Sequence, residues 1–283
     1  MEKSLGMKTI HQLGFVKLLD VMGDDEEIEN SARISYGEGT RKVNQTRNLI
    51  RYLMRHKHTS PFEMCEVKFH LKLPIFIMRQ LVRHRTANLN EYSGRYSVMS
   101  NEFYLPEGDY LAKQSTTNSQ GRGEVLEQEG LLQFEFNRIY DGASTAYQVL
   151  LEEDLSRELA RAVLPVANYT ECIWKIDLHN FFHFVKLRSD SHAQREIRDY
   201  SDAMYELVKP NFPLCCEAFE DYVQGAITFS KQEMGVIREL LEYADTKAAL
   251  AGMSVKDVGV LESKLGKRES KEFLEKLKQG DAE

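Results

Sequence analysis

Between Cys65 and Leu73 the chain alternates without a break. Cys65, Val67, Phe69, Leu71 and Leu73 are apolar, and Glu66, Lys68, His70 and Lys72 between them carry charge or a titratable ring. Side chains of an extended strand point to opposite faces with a period of two, so this stretch offers one face to a core and one to water. A strand buried on both faces among parallel neighbours would read as a continuous apolar run. The segment is therefore expected to be an antiparallel strand with one wet face, and the rest of the chain must supply partners for it.

Before it, Gly14 to Met22 reads as a short strand closed by Gly23. Asp24 or Asp25 can cap a helix running to about Tyr36, with acidic residues in its first turn where the helix dipole favours them. After a polar loop from Gly37 to Asn44, the residues Leu49, Ile50, Leu53 and Met54 make one apolar helical face, and Pro61-Phe62 is expected to break that helix. Beyond the strand, Pro74 fits a first helical turn, and Ile75 to Arg85 reads as a helix with Gln80, Arg83 and His84 on a shared face. Thr86 to Asn90 reads as loop and Glu91 to Ser97 as extended chain, with Gly94 allowing a close approach of backbone to ligand.

Gln114 to Gly123 is polar and glycine-bearing and is expected to be mobile. The spacing of Leu132, Phe136, Ile139, Ala143, Tyr147 and Leu150 predicts a long amphipathic helix that packs on the core. Ser156 can cap a helix that carries Arg157 and Arg161 on one face and ends near Pro165. Ser191 can cap another, running through Ile197, Met204 and Leu207 to Pro210. From Ser230 the character changes. Ser230 and Glu233 have capping-box spacing before a stripe of Met234, Ile237, Leu240 and Leu241, and Val255 to Leu265 and Lys267 to Leu277 read as short charged helices. The expected organisation is a domain over 1–229 and an appended helical module over 230–283.

The formal net charge of −7 argues against a partner that is a nucleic-acid polymer. No apolar run reaches the ~20 residues of a membrane span, and the N-terminus is too polar for a signal peptide. Cys65, Cys172, Cys215 and Cys216 form no CxxC pair, which suits a reducing compartment, so a cytoplasmic location is expected. Against the acidic background, Gln80 to Ser97 gathers Arg83, His84, Arg85 and Arg95 around one carboxylate, Glu91. Neighbouring guanidinium groups repel unless an anion offsets them, so this stretch is a candidate anion site.

There is no GxGxxG after a strand and no P-loop, so arginines must hold any phosphate. No cysteine sits in a sequence that offers an electropositive niche and a base, and Ser93 has no histidine fixed to it by spacing. His179 and His183 stand one helical turn apart without the glutamate of an HExxH motif. That leaves a zinc hydrolase with an unidentified third ligand, or histidines that simply hydrogen bond along a helix face.

Arg83-His84-Arg85, seven residues and then Ser93 make the RHRx7S signature of the flavin-dependent thymidylate synthases, the ThyX family, which this chain closely resembles. Family-like segments follow in family order: His58-Thr-Ser-Pro-Phe-Glu63, Gln80, Asn90-Glu91, Ser93 to Ser97, Arg161 to Pro165, Asp177 to His183 and Leu187 to Gln194, within roughly Phe15 to Val223. The resemblance implies an α+β fold, with helices around a central antiparallel sheet and, here, an appended C-terminal helical module. It implies methylation of dUMP to dTMP with 5,10-methylenetetrahydrofolate as carbon donor and NADPH as reductant through FAD, in a homotetramer with shared active sites.

By the same resemblance Arg188 is the catalytic residue, contacting the pyrimidine. Gln80, Arg83, Glu91, Ser93, Gly94, Arg95 and Arg161 match dUMP-binding positions. His58, Ser60, Arg83, His84, Arg85, Glu91, Asp177, His179 and His183 match FAD-contacting ones, which turns the histidine pair toward flavin and leaves no metal site. Asn88 departs from the serine found in many members, and the resemblance assigns no purpose to Gln114–Gly123 or to the tail. A flavin- or nucleotide-binding protein without catalysis is the alternative.

Overall fold

The computed structural model describes residues 3–34, 46–116, 121–243 and 263–278, and the chain divides into two compact units, Met1–Ala226 and Ile227–Glu283. The first unit is built on a five-stranded sheet in the order β1-β2-β3-β7-β4, antiparallel at every pairing. Its strands are β1 (Met7–Ile10), β2 (Gly14–Met22), β3 (Glu66–Pro74), β4 (Asn88–Glu91) and β7 (Tyr169–Asp177). A separate hairpin joins β5 (Ala112–Gln114) to β6 (Arg122–Val125). Helices of this unit are α1 (Asp25–Arg33), α2 (Thr46–Arg55), α3 (Ser60–Glu63), α4 (Ile75–Leu81), α5 (Glu129–Glu152), α6 (Arg157–Ala160), α7 (Leu178–Arg188), α8 (Arg195–Val208) and α9 (Pro213–Phe219).

The alternating segment is the central strand β3. Its apolar row, Val67 to Leu73, is buried and meets the matching row of β7, Cys172, Trp174 and Ile176. Phe181 and Phe184 of α7 close over that surface, with the Phe69 and Phe181 rings 5.8 Å apart and Trp174 and Phe184 5.2 Å apart. On the polar row, Lys68 lies opposite Lys175, a pairing that would repel. Each lysine turns to a carboxylate instead: Lys175 to Glu66 at 2.6 Å and Lys68 toward Asp20 at 3.8 Å.

Two adjacent aspartates organise the helical layer. Asp24 caps α1, accepting from the N–H groups of Glu26 and Glu27 at 3.0 Å each. Asp25, 7% exposed, reaches across to α9 and accepts from Leu214 N–H at 2.8 Å and Cys215 N–H at 3.0 Å. It thereby satisfies two donors that the start of a helix leaves without intrahelical partners.

Several sequence expectations are revised. Pro61 does not break α2, which has already ended at Arg55; it sits in the first turn of α3. Pro74 closes β3 and caps α4, and α4 stops at Leu81 rather than Arg85. Tertiary pairing overrides helix propensity there, because the chain must turn to lay Asn88–Glu91 along the edge of β7. Residues 93–97, expected to be extended, form a turn in which the N–H groups of Tyr96 and Ser97 both donate to Ser93 O.

The expected loop at Gln114–Gly123 includes the inner ends of the β5–β6 hairpin, and residues 117–120 lie outside the described residues. Helix α5 packs only part of its expected stripe: Tyr147 is buried beside Met99 and Ala160 with Leu150 against them, whereas Phe136 and Ile139 are exposed. Tyr140 is buried as well, and Leu131, Phe134 and Val149 are also exposed. Ser191 caps nothing, since α8 begins at Arg195 with Gln194 in the cap position.

In the second unit α10 (Lys231–Tyr243) opens with the expected capping box: Ser230 N–H donates to Glu233 Oε2 at 2.7 Å and Glu233 N–H to Ser230 Oγ at 3.2 Å. Helix α11 spans Lys267–Lys278. The loop at 37–44, the helix end at Tyr36, positions 255–262 and the side chains of Leu240 and Leu241 lie outside the described residues.

Asp25→Ala leaves two buried N–H donors unsatisfied, at ~1–3 kcal/mol each. The expected loss of about 3 kcal/mol lowers the thermal midpoint by about 6–12 °C, checked by calorimetry, with Asp25→Asn falling between variant and parent.

Candidate active site

Ile77, Met78 and Leu81 bury one side of α4. The chain leaves it through a turn in which His84 N–H donates to Leu81 O at 3.0 Å. The His84 ring lies edge-on to Phe184 at 5.0 Å and near His183 at 6.0 Å. Arg188, the last residue of α7, donates from Nε to His84 Nε2 at 3.0 Å and from its terminal nitrogen to Gln80 O at 3.2 Å.

An arginine is always a donor, so His84 Nε2 must offer a lone pair. The imidazole is neutral and carries its proton on Nδ1. Burial, followed by the charge of Arg188 and the proximity of His183, holds His84 down to about 4. Burial and then Arg83 also lower the pKa of Arg188. Arg83 and Arg85 are exposed on the same turn, and neither has an ion-pair partner among the described residues. Three guanidinium groups therefore stand close in sequence or space without a carboxylate on them.

A second group forms around the turn at 93–97. Gly94 is buried, and a Cβ there would come within 2.7 Å of Met99 Sδ and 3.0 Å of Arg161 Cδ. Only glycine lets the backbone lie against Arg161 in this way. Ser93 Oγ accepts from Arg95 N–H at 3.4 Å, and Arg157 donates to Tyr96 O at 2.8 Å. Arg95 pairs with Glu158 at 3.2 Å, but both side chains are 57% exposed. Such a pair is worth ~0–1 kcal/mol, so Arg95 can exchange it for a phosphate at little cost.

Between the two groups runs β4, about 10 Å between its end Cα atoms at ~3.3 Å per residue. Glu91 on it accepts from Thr170 Oγ1 at 2.9 Å, and Asn88 is exposed opposite Lys175. His58 and Ser60 belong to a third place, at the entry to α3, which packs on α1 and α7. The His58 ring lies 5.7 Å from that of Tyr52. Asp177 caps α7, accepting from Asn180 N–H at 2.9 Å and Asn180 Nδ2 at 2.7 Å. His179 is half-buried and His183 exposed on the same helix. Among the described residues no set of three His, Cys, Asp or Glu side chains could hold a metal ion, so the zinc reading lacks its third ligand there.

The structure thus brings Gln80, Arg83, His84, His183 and Arg188 together, and separately Ser93, Gly94, Arg95 and Arg161. All four cysteines are free and buried. Burial pushes Cys65, Cys172 and Cys216 up to about 12 and Cys215 well above its usual value. A thiol held protonated is a poor nucleophile. Sequence reasoning missed Gln194 and Glu196 as parts of the site. Gln80 Nε2 donates to Gln194 Oε1 at 2.5 Å, and Gln194 Nε2 donates to Glu196 Oε2 at 3.0 Å. The only signal was an unpaired polar spacing at a helix start, with Gln194 closing a family-like segment.

The family described as Thymidylate synthase complementing protein matches residues 17–214. A flavin-dependent thymidylate synthase from Ehrlichia ruminantium (strain Gardel) is 49% identical over 270 residues, 93% of this chain and 86% of its own length. The one from Treponema denticola is 48% identical over 274 residues, 94% of this chain and 95% of its own, so the match takes in most residues beyond Ile227. Among solved structures, the UMP/dUMP methylase PolB from Streptomyces cacaoi, bound with 5-Br dUMP, aligns with a TM-score of 0.70 at 31% identity. That alignment covers 77% of this chain and 99% of PolB. With the RHRx7S signature leaving the end of α4 and running through β4 to the turn at Ser93, and with these matches running through it, the chain belongs to the flavin-dependent thymidylate synthase family.

Proposed function

We propose that this chain methylates dUMP to dTMP, taking the carbon from 5,10-methylenetetrahydrofolate and the reducing equivalents from NADPH through bound FAD, with tetrahydrofolate and NADP⁺ as the other products. One observation carries the reading: Arg188 is oriented by a neutral imidazole and a backbone carbonyl, with no carboxylate paired to it among the described residues. Beside a uracil ring, such a fixed cation favours loss of the proton at N3 and raises electron density toward C5, the carbon to be methylated. The buried, protonated thiols agree with activation that does not use a cysteine.

The donor set also fits a flavin dinucleotide. Arg83 and Arg85, without ion-pair partners among the described residues, suit a pyrophosphate, and His179 and His183 on α7, with His58 and Ser60 by α3, offer ring faces and hydrogen-bonding groups for a heteroaromatic ligand. Bound there, FAD supplies two-electron reduction, which no side chain can provide. Gln80, Arg83, Glu91, Ser93, Gly94, Arg95 and Arg161 hold dUMP, its phosphate at Arg95 and the backbone around Gly94. Asp177 keeps α7 in place and Glu91 remains an acceptor on the strand between the two groups.

The exposed apolar residues of α5 support a homotetramer whose subunits share active sites, because a single chain leaves the arginine groups apart and this helix uncovered. No helix of the described residues is long and apolar enough to cross a membrane, and the free thiols suit the cytoplasm. On this reading 1–229 is the catalytic domain and 230–283 an accessory helical module.

Arg188→Ala is expected to lower kcat by about 100-fold or more, as removal of one oriented donor at a developing charge does, while FAD stays bound. Anaerobic mixing with NADPH, dUMP and methylenetetrahydrofolate and assay of dTMP checks it; loss of FAD with intact dUMP binding contradicts the role. His84 is held at about 4 in the folded chain against 6.5 as the ordinary value. Its contribution to stability is complete above 6.5 and declines as pH falls from 6.5 to about 4, because the unfolded chain takes up a proton that the site refuses. Thermal unfolding across that range should show a shallower decline in His84→Asn than in the parent. Phe134→Asp with Ile139→Asp should yield smaller assemblies by light scattering, with dTMP formation lost while circular dichroism keeps its folded signature.

A further inference from the structure

Glu196 is 2% exposed at the start of α8, and three donors meet its carboxylate. Arg122 at the start of β6 donates to Oε1 at 2.5 Å, Tyr104 O–H to Oε1 at 3.0 Å and Gln194 Nε2 to Oε2 at 3.0 Å. Burial works against the charge, but the hydrogen bond and charge of Arg122 outweigh it and hold the carboxyl below its ordinary value. An ionised carboxylate can only accept. Gln194 must therefore turn its NH₂ to Glu196, which leaves its carbonyl oxygen for Gln80. That oxygen in turn demands the NH₂ of Gln80, at 2.5 Å.

The polarity of the chain then reaches the site. With its nitrogen committed, the planar amide of Gln80 has Oε1 facing elsewhere, and among the described residues nothing donates to it. The backbone carbonyl of the same residue accepts from Arg188, so the amide held by Gln194 belongs to the residue that also holds the guanidinium. We propose that Glu196 and Gln194 are positioning residues which, anchored by Arg122, lock Gln80 with its carbonyl oxygen toward the nucleotide, as the acceptor for an N–H or O–H of dUMP. The proposal rests on the dUMP reading of Gln80 given above. It also gives the β5–β6 hairpin a task, since its Arg122 is the cation that keeps the first member of the chain ionised.

The test is calorimetric titration of the FAD-loaded, full-length protein with dUMP. Gln80→Met and Gln194→Met, which keep the volume and remove the hydrogen bonds, should each weaken dUMP binding by about tenfold, the effect of one oriented hydrogen bond. Because Gln194 acts only through Gln80, the double variant should bind no more weakly than Gln80→Met alone. Glu196→Gln, whose amide can donate as well as accept, should release the lock and weaken binding in the same direction. FAD content should change by less than about twofold in Gln194→Met while dUMP binding weakens, a split that a general loss of structure would not give. Binding within about twofold of the parent in Gln194→Met, or losses that add in the double variant, would overturn the proposal. If Gln194→Met fails to fold, the Glu196→Gln result decides, and parent-like dUMP binding there overturns it. A parent protein that takes up FAD but not dUMP would overturn the functional reading itself.

Discussion

The pairing of β3 with β7 is the constraint from which the site follows. Nine residues of each strand lie in continuous antiparallel register, from Glu66 opposite Asp177 to Pro74 opposite Tyr169. Antiparallel pairing places the outgoing ends of the two strands at opposite ends of the ladder. Helix α4 leaves from Pro74 and α7 from Asp177, and their far ends meet where Arg188 reaches His84 and Gln80. At 1.5 Å per residue the two helices add up to about 27 Å, close to the about 27 Å spanned by a nine-residue strand. Helix lengths matched to the strand pair thus deliver the cation to the turn after α4.

That meeting point is built at an electrostatic cost. Arg188 packs against an imidazole rather than a carboxylate, with Arg83 close enough to depress its pKa. A buried aspartate in place of His84 would stabilise the guanidinium better and would also neutralise it toward any ligand. Neutral acceptors orient the donor and leave its charge unspent. The same logic separates the site from the rest of the molecule, where buried acids are satisfied: Asp25 by two helix N–H groups and Glu196 by Arg122.

What could be read from the sequence was what depends on local chemistry. The alternation at Cys65–Leu73, the Asp24 cap and the Ser230–Glu233 box each need only neighbours within a few residues, and each is found where its pattern stands. The points that failed depend on distant partners. Nothing local stops α4 at Leu81; the edge of β7 does, by recruiting Asn88–Glu91. The apolar spacing of α5 correctly gives a helix, but periodicity says which residues share a face and not what covers that face. The RHRx7S turn was recognisable as a motif, whereas the amide chain from Gln80 to Glu196 was not, because it joins α4 to residues more than a hundred positions away.

The uncovered face of α5 and the divided arginine groups pose the same problem. A strand such as β4 cannot shorten, and about 10 Å of it keeps Arg83 and Arg85 from Ser93 and Arg95 within one chain. A nucleotide bound by both ends of the signature must therefore lie along β4, with its phosphate near the Gly94 turn and its base toward Arg188. Such a ligand would rest on the edge of the sheet, where all four residues of β4 are exposed. Five apolar side chains along α5 are likewise left exposed, an apolar surface that water disfavours. The sheet ends at β4, and with that edge strand exposed throughout, the signature runs along an open edge of the sheet.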